Sequence, residues 1–339
     1  MTKSQKAVLA LLPALLGSAL SVGGWRIAGS RLPSNARIAA RATGRITIDM
    51  VTHACPSDSF WPPVFNGAEA AANALGVTLD NIRLTSAQCG SIPAEVSNLE
   101  TAISNHPTGI ITTIPSNTAF SSALNQAKRD GIPVIAMNTA PPESAKNPYL
   151  AYVGQSNYSA GVGSGQTAIR MFHLKAGDTV AVVDHEPFNI SLTAREKGIT
   201  AALKPKGIHV VYINTSDNPS TGASIVQAYL TVHPKTSAIL DLGTTGTTQV
   251  VTALQAIGKL GKIPVGAFDF NSATLHYIEQ GVVSYTVDQQ PFLQGYDSVE
   301  ELVLLARYGV DPVSINTGPV FLTHANVKKY GRYAQETGF

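Results

Sequence analysis

The chain has 339 residues, of which 44% are hydrophobic and 14% charged. That composition supplies the core of one or two ordinary domains and excludes a disordered chain. Its 24 basic and 22 acidic residues leave a net charge of +2 and are spread along the whole length, so charge marks out neither a nucleic-acid partner nor a membrane surface.

In chain order, the first thirty residues stand apart. Lys3 and Lys6 precede an apolar stretch, Ala7 to Leu20, followed by small residues up to Gly24. This is the pattern of a secretory signal peptide over residues 1–30, with cleavage expected between residues 20 and 45. The apolar run is shorter than the roughly 18 to 20 residues a spanning helix needs. No cysteine lies near the cleavage point, so a lipid anchor is not expected, and the mature chain is expected in the periplasm.

From Arg45 onward, short apolar runs alternate with amphipathic helical segments. Ile46 to Thr52 reads as a strand, and Val64, Ala68, Ala71 and Leu75 lie on one face of a helix that Gly76 ends. Val77 to Leu84, Gly109 to Ile114 and Pro133 to Asn138 read as further strands, with helices between them. The pattern begins again after Tyr149 to Gly154. Strands are expected at Thr179 to Val183, His209 to Asn214, Ser237 to Leu242, Pro264 to Phe268 and Val282 to Val287. The helices between these fall around 190–203, 220–232 and 247–257. Such alternation implies right-handed crossovers and two doubly wound, Rossmann-like parallel-sheet α/β lobes with a cleft between them.

Ligands of open α/β sheets sit beyond the carboxyl ends of the strands. That rule selects the loop from His53 to Pro63, with Asp58, Phe60 and Trp61 at a helix entrance where Pro62 suits the first turn. It also selects Asn138, the segment His185 to Asn189 with Arg195 beyond it, Asp217, Gly243-Thr244, Asp269 and Gln289. Aromatic faces suit the C–H face of a sugar, while carboxylate, carboxamide and guanidinium forks match its vicinal hydroxyls. Cys55 and Cys89 are the only cysteines. They follow the first and second strands, adjacent in the common 2-1-3-4-5 order, and are read as one disulfide, the alternative being two separate buried thiols.

These segments carry a resemblance. Asp58-Ser-Phe60-Trp61 with Asn66-Gly67, Gly131 to Asn138, Ala194-Arg195-Glu-Lys-Gly198, Phe268-Asp269 and Val287 to Pro291 are similar to the ribose-binding-protein family of periplasmic solute receptors, over Ile46 to about Asn326. The resemblance implies two lobes joined by a three-segment hinge, the periplasmic binding protein type I fold. The lobes would span 46–152 plus 290–312 and 153–289 plus 313–330. The hinge segments would lie near Val153 to Gln155, Gln289 to Pro291 and Gly309 to Val313. It implies ligand contacts from Asp58, Phe60, Trp61, Asn138, Arg195, Asp269 and Gln289, to which strand-end position adds His53 and Asp217. Thr139, Ile114, Asn218 and Gly243 stand where the ribose receptors have an arginine, an asparagine, an aromatic and another asparagine, which argues against ribose itself.

The function implied is capture of a small sugar or polyol by cleft closure and delivery to the inner-membrane permease of an ABC importer, by a monomer without cofactor. The alternative is a sensing receptor that reports to a chemoreceptor or sensor kinase. The eight histidines show no metal-ligand spacing, and no GxSxG elbow or other catalytic pattern suggests an enzyme. Gly161-Val-Gly163-Ser-Gly165 lacks the context of a nucleotide loop and is read as helix packing. A DNA-binding regulator of the same fold would carry a helix-turn-helix where this chain has its export signal.

Overall fold

The computed structural model describes residues 44–142 and 145–337; the expected signal peptide lies outside them. Two six-stranded sheets form the molecule. In the first, β1 (Thr47–Thr52), β2 (Thr78–Arg83), β3 (Gly109–Thr112), β4 (Val134–Met137), β5 (Ala151–Gly154) and β11 (Ile315–Asn316) are ordered β11-β5-β4-β3-β1-β2. In the second, β6 (Thr179–Asp184), β7 (His209–Asn214), β8 (Ala238–Asp241), β9 (Val265–Phe268), β10 (Tyr285–Asp288) and β12 (Val320–Thr323) are ordered β12-β10-β9-β8-β6-β7. All pairings are parallel except that of β12 with β10. Strands β3, β4, β8, β9 and β10 are buried throughout, which is why they read as unbroken apolar runs and not as alternating ones.

The helices of the first lobe include α1 (Trp61–Leu75), α2 (Ile92–Ser104) and α3 (Ser121–Asp130). Gly76 and Gly131 end α1 and α3 in the left-handed region, at φ 64° and 71°, a conformation that costs glycine no Cβ clash. The chain then leaves β5, crosses to the second lobe and forms α4 (Asn157–Phe172), followed there by α5 (Ile190–Leu203), α6 (Pro219–Val232), α7 (Thr244–Ala256) and α8 (Ser272–Glu279). After β10 it crosses back as α9 (Pro291–Tyr308), which packs on α1. A final helix, α10 (Val327–Thr337), packs on α8, and the Asn66 side-chain amide of α1 donates to the Thr337 carbonyl at 2.9 Å.

Each lobe is therefore completed by a helix that arrives from the other lobe's sheet. Both are seated by reciprocal glycines. A Cβ on Gly67 would overlap the Phe292 carbonyl, and one on Gly295 the Val64 carbonyl. In the second lobe, a Cβ on Gly161 would overlap the Arg195 carbonyl, and one on Gly198 the Tyr158 carbonyl. Backbones this close leave no room for any side chain, so Gly161 is a packing residue.

The lobe boundaries differ from the sequence expectation. Residues 153 and 154 belong to β5 and hence to the first lobe. The expected third hinge segment at Gly309 to Val313 is still in the first lobe, as are residues 313–316. The Val313 amide donates to Glu301 at 2.9 Å, Ser314 accepts from the Tyr152 amide at 3.0 Å, and Ile315–Asn316 pairs with β5. The third crossing is Thr317 to Pro319. A two-residue strand has too little periodicity to be read from sequence.

Candidate functional site

Strand β1 ends at Thr52, and the loop that follows turns back on itself before α1. The Asp58 amide donates to the Cys55 carbonyl at 3.0 Å, and Asp58 Oδ1 accepts the Phe60 amide at 3.0 Å. Cys55 and Cys89 are joined by a disulfide across a Cα separation of 5.3 Å, tying this loop to the turn after β2. The bracing positions four rings: His53 meets Trp61 edge-on at 4.9 Å, Phe60 meets Trp61 edge-on at 5.2 Å, and Trp61 stacks on Phe65 at 6.0 Å. Phe60 and Trp61 belong to the first lobe's core cluster and also line the cleft, so they act as core anchors and as walls of the site.

The second lobe contributes charge. Arg195, 3% exposed on α5, lies over the Phe268 ring at 4.7 Å. It donates to the Leu242 carbonyl at 2.6 Å, to Asp269 Oδ2 at 3.3 Å and, through Nε, to Asn157 Oδ1 at 2.9 Å. The other oxygen of Asp269 accepts Gln289 Nε2 at 2.7 Å. Gln289 Oε1 in turn accepts from Asn138 of the first lobe at 3.3 Å and from Gln294 at 3.0 Å. One polar chain, Arg195–Asp269–Gln289–Asn138, thus runs from the second lobe through a crossing segment into the first.

The lobes are closed on each other. The Thr244 hydroxyl donates to Asp58 at 2.7 Å, the Asn271 amide to Ser59 at 2.8 Å, and the Thr139 hydroxyl to Asn189 at 3.3 Å. Between them lies a cavity of about 30 Å³ lined by His53, Asp58, Phe60, Trp61, Asn138, Arg195, Asp269 and Gln289, well below the several hundred Å³ typical of small-molecule pockets, so the lobes must part to admit a sugar-sized ligand. Asp217 is not among the lining residues. It sits at the rim, in the electrostatic reach of Glu186 and Asp58 and facing Gly90.

The lining also holds His185, Glu186, Asn189, Ser191, Gly243 and Thr244. They lie in the loops that the strand-end rule points to or in the first turn of the helices that follow, but such a position alone does not say which side chain turns inward. Glu186 and Asn189 form a local unit. The Asn189 amide donates to Glu186 Oε2 at 2.8 Å, and its carbonyl oxygen accepts the Ser191 amide at 2.9 Å, capping α5.

Burial sets the protonation of the site. His53 and His185 are pushed down to about 3 by desolvation, so both rings are neutral. Asp58 and Asp269 are raised, again chiefly by burial, with Arg195 pulling Asp269 back. Glu186 is raised well above the usual carboxylate range by burial, then by Asp217, and further by Asp58 and Asp184. Ligand atoms of His185, Glu186 and Asp217 lie within 4.8 Å of one another. No helix among the described residues is long and apolar enough to cross a membrane.

The periplasmic binding protein domain family matches residues 48–309. The chain is 29% identical over 265 residues to the xylose/arabinose-binding protein XylF of Sulfolobus acidocaldarius, covering 74% of this chain and 65% of that protein's length. Among solved structures, a periplasmic sugar binding protein of an ABC sugar transporter from Legionella pneumophila is 35% identical, with a TM-score of 0.77 over 81% of this chain and 100% of that one. A carbohydrate transporter from Acidothermus cellulolyticus, in complex with myo-inositol, is 27% identical, with a TM-score of 0.78 over 87% of this chain and 100% of that one. With the family profile running from the first strand through both crossing helices and stopping short only of the two late edge strands and the final helix, the chain belongs to the periplasmic binding protein domain family and has the type I fold of two α/β lobes.

Proposed function

We propose that this protein is an exported receptor that encloses a small sugar or polyol between its lobes and hands it to the inner-membrane permease of an ABC importer. The observation that carries this reading is the pairing of walls across the cleft. Aromatic rings on the first lobe suit an apolar ring face, and the Arg195–Asp269–Gln289 fork on the second suits hydroxyl pairs. A ligand bound by both lobes stabilises the closed state by its differential affinity, and the closed surface is what a permease can recognise. Nothing in this reading requires catalysis or a cofactor.

Relatives named for xylose and arabinose and a neighbour holding myo-inositol direct the choice of candidates. Thermal melts of the mature protein with pentoses, hexoses and cyclitols test the reading. A ligand at one hundred times its Kd adds about 2.7 kcal/mol of stability, a readily measured shift. No shift with any member of the panel would refute it. Export is checked by mass spectrometry of secreted or periplasmic protein, which should lack Met1 and begin between residues 20 and 45, and monomeric state by size-exclusion chromatography with light scattering.

A further inference from the structure

We propose that the ligand is cationic, a sugar or cyclitol carrying an ammonium group, held between Asp58 of the first lobe and Glu186 of the second. The proposal rests on the sugar-receptor reading above and narrows its substrate class. Three carboxylates line the cavity, Asp58, Glu186 and Asp269, against the single guanidinium of Arg195. Arg195 is committed to Asp269 in a buried ion pair, and Gln289 completes that carboxylate's hydrogen bonding. The lining histidines are neutral, so they add no positive charge.

Asp58 and Glu186 are therefore left without a cation among the described residues of the cavity. Asp58 receives a hydroxyl, a backbone amide and the Trp61 indole; Glu186 receives the Asn189 amide, shares a hydrogen bond with Asp217 and lies 3.9 Å from the neutral His53 ring, so none of these partners is a cation. The charged neighbours acting on Glu186 are all acidic: Asp217, Asp58 and Asp184. Closure brings these carboxyl groups together from opposite lobes into a buried site, where without a cation they cannot all stay ionised and burial pushes Glu186 towards holding a proton. A neutral sugar leaves the site without that cation and requires protons to be held. An ammonium between the two carboxylates supplies it, and closure becomes conditional on the ligand's charge.

Calorimetry on EDTA-treated mature protein tests this with matched pairs: glucosamine and glucose, galactosamine and galactose, an aminocyclitol and myo-inositol. In at least one pair the amine should bind about tenfold or more tighter than its neutral partner, as expected for exchanging a neutral for a charge-assisted contact. Glu186→Gln, which keeps the side chain's shape, should weaken the amine about tenfold and narrow the gap to its neutral partner. Asp58→Asn should act the same way from the other lobe, and unliganded melting of both variants verifies folding. Neutral members binding as tightly as amines in every pair would overturn the proposal while leaving the sugar-receptor reading intact. So would neutral binding that appears only when a divalent metal is restored, which would assign the carboxylates, with His185, to a metal ion. Failure of every compound, charged and neutral, would overturn the proposal together with the reading it rests on.

Discussion

In the first lobe the fourth strand runs out at Met137 into Asn138, and in the second the equivalent strand runs out at Phe268 into Asp269. Both polar residues adopt positive φ, 64° and 61°, and both donate their amide to the next strand, Asn138 to Val153 at 2.9 Å and Asp269 to Val287 at 2.8 Å. The backbone plan is repeated, but the side chains hung on it are not. At the first strand's end one lobe presents rings, Phe60 and Trp61, braced by a disulfide. At the same place the other presents Asp184, His185 and Glu186, with Arg195 one turn into the helix beyond. The difference teaches that the fold fixes where a cleft opens, whereas the furnishing of each lobe fixes what that cleft offers; under the proposed sugar-receptor reading the first lobe would take an apolar face and the second the polar edge.

The largest expected effect sharpens that division. With a ligand in hand, Arg195→Ala removes the polar anchor and leaves Asp269 buried without its partner, and should cost about 3 to 5 kcal/mol in binding. Trp61→Ala removes the ring wall, for about 2 to 4 kcal/mol. Calorimetry reads both, and near-wild-type affinity in either variant would break the assignment of one wall to each lobe.

The disulfide comes next. Cys55 and Cys89 are 34 residues apart, and constraining a loop of that size stabilises by roughly 4 kcal/mol in the chain-entropy account. Reduction should lower the melting temperature and loosen only the ring-bearing loop, seen as faster hydrogen exchange across residues 53–60. Two titratable thiols in unfolded, unreduced protein would contradict the bond.

Reciprocal glycines give a smaller effect, and one in which the lobes should behave alike. Gly295→Ala and Gly161→Ala each press a methyl group into a backbone carbonyl and should each destabilise by about 1 to 3 kcal/mol in urea. A loss confined to one lobe would show that the two crossing helices are not equivalent.

The smallest is the pH response, where the lobes oppose each other in part. Asp184 and Asp217 are raised to about 6 and Asp288 to about 7, chiefly by burial. The folded protein holds these protons longer than the unfolded chain, so their contribution to stability is lost as pH rises from about 4 to about 7. His53 and His185, pushed down to about 3, work in reverse: the unfolded chain protonates first, so stability is lost as pH falls below about 6.5. Asp217→Asn removes its own share of the first slope and, by taking a negative neighbour from Glu186, part of that residue's share as well, while leaving the histidines' slope. Melts between pH 4 and 8 should then rise more steeply with pH than in the wild type, by about 1 kcal/mol or less; an unchanged profile would show that Asp217 titrates normally.

Most of the fold was legible because buried parallel strands and amphipathic helices announce themselves by period and by glycine caps. The short and late elements were not. β11 has two residues, α8 has eight, and α10 lies beyond the point where the alternation stops. In the site, the strand-end rule reached loops that line the cavity: eight of the nine residues expected at the ligand lie in its wall, Asp217 being the exception. Glu186 was missed because nothing in His185-Glu186-Pro187 says which side chain faces inward; its turn depends on Asn189, three residues away, which is held by the start of α5. Residue type alone does not say that Asn189 caps α5 and reaches back to Glu186.

The exchange of helices between lobes governs when the molecule can fold. The first lobe lacks the partner for Gly67 until α9 has been made, and lacks its edge strand until residue 316, so a chain emerging in order from its amino end cannot finish the lobe it begins with. Nearly the whole sequence must be present before either half can close its core, and contacts of such separation form slowly. A nascent chain wired in this way cannot complete either lobe until synthesis is almost finished, which should keep it able to thread a narrow channel.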